Sequence, residues 1–213
     1  MQKKITALPY YLPDADLLSP LCTDSYIIWQ PDDNYIILGR SNRPELSLNT
    51  EMVKSDNIKV LQRPSGGETV ILTPSTLIFS INIPAGKLQH PKKIFEIINK
   101  SLIEEFQKNG ISGIYSRGIS DLSIGEQKIM GSSMYLKDHK YFYHAVLNIS
   151  EDPEFISKYL KHPVKEPDYR KGRNHSEFIT SLKEKGYHKS AEEIADIIRN
   201  GIEKILKVIS VKE

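Results

Sequence analysis

The stretch LQRPSGGETV, residues 61–70, places two adjacent glycines between two short runs of β-type residues. A glycine pair in that setting means either that the chain bends sharply or that another group comes close to the backbone. The approaching group is the neighbouring strand, as in a hairpin, or a ligand. The ten residues alone favour the hairpin, so the rest of the chain has to decide.

Length and composition indicate a single globular domain over residues 1–213. The chain has 213 residues, of which 39% are hydrophobic and 26% are charged, which suffices for one sizeable core. Its 29 basic and 27 acidic residues are too balanced for a protein that binds nucleic acid through bulk charge. No apolar stretch reaches the length of a signal peptide or a membrane span. We therefore expect a cytoplasmic protein with neither a nucleic-acid nor a membrane partner.

Cysteine and histidine usage exclude several classes of site. Cys22 is the single cysteine, which rules out an internal disulfide and a cluster of thiolate metal ligands. Its expected role is that of a small buried hydrophobic residue. No His, Asp or Glu cluster has the spacing of a zinc protease, so no protein-bound metal is predicted.

The spacing of apolar residues predicts an α+β fold with mixed β-sheets packed with helices. Strand-like runs in the first half lie at 25–29, 34–38, 58–62, 69–72 and 76–83. Residues 90–110 have a helical period with a glycine stop. Four more strand-like runs, at 113–116, 120–124, 128–136 and 140–149, imply a second mixed sheet. Helices are predicted at 153–160, 176–186 and 190–211, the last opening with a capping box.

The first candidate site is formed by Arg63, Ser65, Gly66 and Gly67. Glycines allow backbone amides to face an anion, and an arginine supplies a fork of donors for phosphate or carboxylate. The stretch is not a P-loop, because no Gly-Lys-Ser/Thr follows, and it is not a dinucleotide fingerprint, because a strand comes next. Nucleotide binding remains one interpretation, and a plain turn is the other.

A second candidate site pairs Asp121 with Lys128 across a hairpin whose turn is predicted at 125–127. A lysine beside a carboxylate stays charged and positioned, which suits it to hold a phosphate or a developing oxyanion. A surface ion pair is the alternative, but the small residues at 131–133 leave room for a ligand. His144, in an apolar strand, is either a hydrogen-bonded core residue or a functional one.

Together these motifs resemble the lipoate-protein ligase A family, within the biotin/lipoate ligase superfamily. RPSGG follows a strand, GISDL precedes QKIMGSS, and FYHAVLNI comes later, in this order and at these distances. IILGRSN and EPDYRKGRNHSEFITSL are also similar, so that the resemblance covers about residues 26 to 182. It implies a biotin/lipoate ligase-like catalytic domain that converts lipoate and ATP to lipoyl-adenylate. The lipoyl group then passes to a lysine of an acceptor lipoyl domain.

The resemblance also implies roles for individual residues. Lys128 would be the catalytic lysine that holds the acyl-phosphate oxygens, Asp121 would lie by the nucleotide, and His144 would support the pocket wall. The ATP and lipoyl-adenylate pocket would be lined by Arg63, Ser65, Gly66, Gly67, Glu68, Thr69, Val70, Ile71, Asp121, Lys128, Gly131, Ser132 and His144. ATP, Mg²⁺ and lipoate would be required. The acceptors would be E2 subunits of 2-oxoacid dehydrogenases and the glycine cleavage H protein.

A basic loop, KEPDYRKGRNH at 165–175, is predicted to lie at the pocket mouth. There Arg170, Lys171 and Arg173 would face an acidic acceptor or the pyrophosphate. The alternative is a solvated run of charges without a partner.

The chain departs from the family pattern at several places. Glu68 stands where a third glycine is usual, and a carboxylate there repels phosphate unless it points away or helps hold Mg²⁺. Leu72 and Thr73 stand where a His-Asp pair is usual. The usual N-terminal helix is not recognisable in residues 1–24. Larger ligases continue into an accessory domain, so we expect this chain either to need a separately encoded partner for the ATP step or to perform that step slowly.

Three other functions stay open at this point. An octanoyl or lipoyl transferase acting between carrier proteins would acylate a cysteine, but Cys22 is far in sequence from the expected place. A biotin ligase would show a Gly-Arg-Gly-Arg-type loop, which this chain lacks. A non-catalytic binder of lipoyl domains would fit the departure at Glu68, although the retained Lys128 argues against it.

Overall fold

The computed structural model describes residues 4–85 and 90–210. Its strands, in chain order, are β1 (Leu8–Pro9), β2 (Tyr26–Trp29), β3 (Tyr35–Leu38), β4 (Lys59–Gln62), β5 (Val70–Leu72), β6 (Thr76–Pro84), β7 (Ile114–Arg117), β8 (Asp121–Ile124), β9 (Gln127–Lys137) and β10 (Lys140–Asn148). The larger sheet is antiparallel, with the order β2-β6-β10-β9-β8-β7. The smaller has the order β1-β4-β3-β5, in which the first three strands are parallel and β5 is antiparallel to β3. The predicted α+β class with mixed sheets is confirmed.

Helices cover one face of the larger sheet and fill the connections of the smaller one. In chain order they are α1 (Pro44–Ser47), α2 (Thr50–Ser55), α3 (Pro91–Lys108), α4 (Pro153–Tyr159), α5 (His175–Phe178) and α6 (Ala191–Ser210). Short 3₁₀ turns occur at Pro13–Leu18 and Asp168–Arg170. The two long helices, α3 and α6, pack against each other and against the larger sheet. None of the described helices combines the length and apolar character needed to cross a bilayer.

Strand β6 separates the main core from the side where the polar groups collect. Because successive strand residues face opposite ways, one set packs against the long helices; it consists of Leu77, Phe79, Ile81 and Ile83. On the other face, Ile78 joins the core beneath the smaller sheet, and Ser80 and Asn82 bond to the turn at Pro13–Leu18. The long helices therefore stabilise the sheet from behind, and its other face is left for a site.

The last helix begins as the sequence predicts. Ser190 and Glu193 form the capping box, since each side chain bonds to the backbone amide of the other residue. Its apolar stripe is buried in the main core and consists of Ile194, Ile197, Ile198, Ile202 and Ile205. Residue 211, the predicted end, lies outside the described part of the chain.

The hairpin interpretation of residues 61–70 is wrong. Strands β4 and β5 do not pair with each other, because both pair with β3 and lie on opposite sides of it. The segment between β4 and β5, residues 63–69, which we call the glycine loop, therefore crosses over the end of β3. There the two backbones are so close that a Cβ on Gly39 would collide with the carbonyl oxygen of Gly67. The φ of Gly67, 89°, is one that residues with a side chain rarely adopt.

The four later strands do not build a separate second sheet. Strand β10 pairs along its whole length with β6, so that β7 to β10 extend the sheet begun by β2 and β6. Local apolar runs identify strands, but their partners are distant in sequence and are not encoded in the runs themselves.

The predicted helix at 176–186 is also wrong, except for its first turn in α5. Ile179 forms a parallel bridge with Lys128, and the amide of Thr180 donates to the Lys128 carbonyl at 2.9 Å. These bonds to β9 replace the helical ones at residues 179–181, which run extended, and residues 182–186 then form a turn. The short helices α1 and α2, which the sequence analysis did not predict, span too few residues for a clear helical period.

Candidate functional site

A cavity of about 320 Å³ lies between the two sheets and the segment 160–179. Most residues singled out from the sequence line it: Arg63, Gly67, Glu68, Thr69, Val70, Ile71, Asp121, Lys128, Gly131, Ser132, His144 and Arg170. Ser65 and Gly66 do not line the cavity but bond to Arg63 and His144, which do. The glycine loop, the lysine strand and the histidine strand are therefore brought together around one space.

The buried guanidinium of Arg63 organises the glycine loop from behind. Its Nη2 donates to the carbonyls of Gly66 and Glu68 at 2.8 and 2.9 Å, and its Nη1 donates to the carbonyl of Ile37 at 3.2 Å. Its Nε donates to Ser65 Oγ at 3.0 Å. Burial lowers the pKa of Arg63 to about 10. These bonds occupy the fork that the sequence analysis assigned to a phosphate or carboxylate, so Arg63 shapes the loop and adds positive charge to the cavity.

The carbonyls of Gly66 and Glu68 face Arg63, whereas three amides of the loop are unbonded within the described part of the chain. Besides Arg63, Ser133 Oγ donates to the carbonyl of Gly66 at 2.9 Å. The amides of Gly66, Gly67 and Glu68 form no hydrogen bond with any other residue that the structure describes. Successive free amides next to a buried guanidinium favour an anion.

His144 is held neutral in the cavity wall. Its Nε2 lies 2.6 Å from Ser65 Oγ, which accepts the bond from Arg63. Burial, and secondarily the charge of Arg63, lower the pKa of His144 to about 3. Because the imidazole is neutral, the Ser65 proton can be donated to Nε2, which places the ring proton on Nδ1. The side chain therefore supports the loop and carries no charge near neutral pH.

This histidine predicts how stability depends on pH. The pKa of His144 is lower in the folded state than the ordinary value of 6.5. Its contribution to the free energy of unfolding is therefore present above pH 6.5 and is lost as pH falls toward 3. Within this range the free energy of unfolding should fall by about 1.4 kcal/mol per pH unit. Urea unfolding at several pH values between 7.5 and 5 should show a steeper loss for wild type than for His144→Gln. The exposed His188→Gln variant is the control, and equal slopes in wild type and His144→Gln would contradict the assignment.

A β-bulge sets the position of Lys128. The register between β8 and β9 shifts, because Leu122 pairs with Met130 whereas Ser123 pairs with Lys128, which leaves Ile129 as the extra residue. Lys128 and Gly131, three positions apart in a strand, consequently lie on the same face. The turn itself has two residues, since Ile124 pairs with Gln127.

Gly131 provides the space in which the lysine side chain lies. A Cβ at this position would be 2.7 Å from Lys128 Nζ and 2.8 Å from its Cε. The ammonium lies 2.9 Å from Oδ1 of Asp121, which pairs with Gly131 across the strands. The lysine is thus fixed both at its backbone, by the bulge and by residues 179–180, and at its charged end.

The Asp121–Lys128 pair belongs to the cavity wall and not to the outer surface. Asp121 is only 6% exposed, whereas the Lys128 side chain is 28% exposed. The second carboxylate oxygen, Oδ2, accepts a bond from the hydroxyl of Tyr169 at 2.8 Å. The carboxylate is therefore occupied by the protein, and the ammonium is the charged group that can reach a ligand.

The expectation for the basic loop needs correction. Arg170 is 4% exposed, packs over the Phe178 ring and faces the cavity side. Arg173 is bound to backbone carbonyls, those of Tyr169 at 2.9 Å and of Glu126 at 3.0 Å among them. Of these three basic residues, only Lys171 is exposed. Arg170 and Arg173 build the loop and are not free to face a protein partner.

Sequence reasoning missed a buried acid near the N-terminus. Asp14 is fully buried, accepts bonds from the hydroxyl of Tyr10 at 2.7 Å and from Ser80 at 2.6 Å, and has its pKa raised by burial. Tyr10 itself lines the cavity. Nothing in the local pattern distinguishes Asp14 from other polar residues of a proline-rich stretch. Tyr169 was also missed, because its partner Asp121 lies 48 positions away in sequence.

The positions that depart from the family pattern have identifiable places. Leu72 is a buried residue of β5, and the buried Thr73 donates its hydroxyl to the Glu151 carboxylate. Glu68 lies on the cavity wall, where its charge acts on both Arg63 and Arg170. Among the described residues, no three acidic, histidine or cysteine side chains come together as a metal site would require.

Comparisons with known proteins identify the family of the chain. Residues 16–203 match the family model of the lipoyl protein ligase A/B catalytic domain. The Mycoplasma pneumoniae protein named "Probable lipoate-protein ligase A" is 26% identical over 132 residues, which are 62% of this chain and 38% of that protein. Lipoate-protein ligase A of Psychrobacter cryohalolentis is 25% identical over 152 residues, 70% of this chain and 43% of that protein. The matched region thus spans about two fifths of these relatives.

Solved structures with the same fold are ligases of this type. A bi-partite lipoate protein ligase from Thermoplasma acidophilum, studied with its E2 lipoyl domain, superposes with a TM-score of 0.73 at 20% identity over 87% of this chain and 72% of that chain. A lipoate-protein ligase A bound with ATP gives 0.72 at 19% identity over 87% and 74%. These likenesses confirm the predicted ligase-like fold. Since the family model covers most of its length, the chain belongs to the family of lipoyl protein ligase A/B catalytic domains.

Proposed function

We propose that the protein is a lipoate-protein ligase, which activates lipoate with ATP and transfers the lipoyl group to a lysine of an acceptor lipoyl domain. The observation that carries the proposal is the Lys128 ammonium, fixed by Asp121 in the wall of a cavity that Gly67 and Glu68 of the glycine loop also line. The names of the relatives support it.

The proposed reaction has two steps, and both need positive charge at the same place in the cavity. In the first, a lipoate oxygen attacks the α-phosphorus of ATP, the bond to the pyrophosphate breaks, and a mixed anhydride with AMP forms. In the second, the acceptor amine attacks the anhydride carbonyl, loses a proton and releases AMP. Both steps develop negative charge on the phosphate or the carbonyl oxygen, so that one positioned lysine stabilises both. The apolar part of the wall, including Ile78 and Val146, suits the lipoyl chain.

Magnesium fits this site only as a companion of the nucleotide. Asp121 is taken by Lys128 and Tyr169, so that Glu68 is the carboxylate on the cavity wall that remains for a metal. Magnesium in ATP sites is commonly held by the phosphates with one or two carboxylates. Mg²⁺ would neutralise charge on the leaving pyrophosphate, and Glu68 would face it.

The proposed acceptors are lipoyl domains of 2-oxoacid dehydrogenase E2 subunits and of the glycine cleavage H protein. One structural neighbour was studied with an E2 lipoyl domain, which supports this class of partner. Assaying the two half-reactions separately, with ATP plus lipoate and with supplied lipoyl-adenylate plus acceptor, will show whether the chain performs the ATP step without an accessory protein.

A transferase that acylates its own cysteine is the second candidate, because the sequence motifs leave it open. That mechanism needs a thiol at the cavity, and Cys22 is not among the residues that line it. We expect Cys22→Ser to retain ATP-dependent lipoylation of an acceptor domain within about twofold, as a surface change away from the chemistry should. Mass spectrometry of the acceptor measures the product. Loss of activity in Cys22→Ser, together with acyl transfer between carriers without ATP, would favour the transferase instead.

A further inference from the structure

The two oxygens of Asp121 hold different partners. Oδ1 binds the Lys128 ammonium at 2.9 Å and, at 3.3 Å, the hydroxyl of Ser120. Oδ2 accepts the hydroxyl of Tyr169 at 2.8 Å. Because Asp121 is 6% exposed, water does not readily replace a lost partner.

We propose that Tyr169 is a positioning residue for the lysine, acting through Asp121, and the proposal rests on the function proposed above. Its hydroxyl occupies Oδ2 and fixes the rotation of the carboxylate, so that a single oxygen faces Lys128. Without that hydroxyl, the carboxylate can rotate and bind the ammonium with both oxygens. The ammonium is then drawn toward Asp121 and away from the ligand.

Tyr169 is itself held firmly enough for this role. Its ring packs against the Phe178 ring at 5.2 Å between centroids and lies close to Gly118, where a Cβ would come within 3.7 Å of it. Burial, and next the charge of Asp121, raise the pKa of Tyr169, so that the hydroxyl stays protonated and keeps donating. The tyrosine is thus a fixed donor.

The segment that carries Tyr169 also forms part of the cavity. Pro167 and Arg170, which flank it, line the cavity, and Arg173 ties the segment to the turn between β8 and β9 through the Glu126 carbonyl at 3.0 Å. The position of Lys128 is therefore coupled to the seating of this segment.

A double-mutant cycle tests the proposal, using wild type, Tyr169→Phe, Asp121→Asn and the double variant. Tyr169→Phe keeps the ring and removes one hydrogen bond to a charged group, so that kcat for lipoyl-adenylate formation should fall about tenfold with little change in KM for ATP or lipoate. In the Asp121→Asn background, the same change should have no further effect. The control is Tyr115→Phe, since Tyr115 is 57% exposed on β7.

A second readout does not need activity. In ¹H–¹⁵N spectra of the lysine ammonium groups, the signal that disappears in Lys128→Ala belongs to Lys128, and it should shift in Tyr169→Phe but not in Tyr115→Phe. An unchanged signal and kcat in Tyr169→Phe, or an equal loss in the Asp121→Asn background, would overturn the proposal. An inactive wild type would instead refute the proposed ligase function, and the ammonium signal would still test the positioning.

Discussion

Lys128→Ala should abolish lipoylation while the fold is retained. The side chain supplies the ammonium on the cavity wall that both half-reactions use, and removing one such preorganised group costs about 10³-fold in rate, or about 4 kcal/mol. Adenylate formation, measured as pyrophosphate release, and transfer from supplied lipoyl-adenylate should therefore both fall. A loss confined to one half-reaction would show that the lysine serves only that step.

The matched control is Lys140→Ala, because Lys140 is an exposed lysine at the start of the neighbouring strand β10. It should behave as wild type in both assays. Removing Lys128 leaves the buried Asp121 without its cation, so circular dichroism and urea unfolding must accompany the kinetics. Lys128→Arg preserves the charge but places it differently, and it should recover stability without recovering the full rate. Wild-type turnover in Lys128→Ala would place the chemistry elsewhere.

The chemistry-bearing residues could be found from the sequence because they stand in local patterns. The glycine pair in 61–70 and the Asp121–Lys128 spacing each point to an unusual backbone or charge, and both lie at the cavity. What those patterns do not contain is the partner of each group. Arg63 has the residue type of an anion ligand, yet its donors are used by carbonyls of its own loop and of β3. That outcome depends on β3 lying between β4 and β5.

Contacts between distant segments account for the other differences. The apolar spacing of residues 176–186 suits a helix, but the amide of Thr180 donates to the carbonyl of Lys128, and residues 179–181 are held extended. Tyr169 gains its importance from Asp121, which is 48 positions away in sequence. Neither partner could be recognised before the sheet order was known. Local propensity yields to tertiary hydrogen bonds in these places.

The β-bulge at Ile129 leads to the second prediction of large effect, the consequence of Gly131→Ala. A regular strand would place residues 128 and 131 on opposite faces, and then alanine at 131 would not meet the lysine. The bulge places both on one face, where the new methyl group would lie 2.7 Å from Nζ and 2.8 Å from Cε. The lysine side chain must move, and with it the ammonium. A displacement of about 1 Å in a catalytic group can cost about 10²-fold in rate, so both half-reactions should slow by that factor.

Leu136→Ala is the matched control, because Leu136 is 54% exposed near the end of the same strand β9 and does not line the cavity. It should keep the wild-type rate. Unfolding free energies of both variants should stay close to wild type, since the end of a lysine side chain can yield where backbone cannot. The decisive measurement is kcat for adenylate formation in the two variants side by side. Near wild-type turnover in Gly131→Ala would mean that the lysine works from another position, and the bulge would then have no part in placing it.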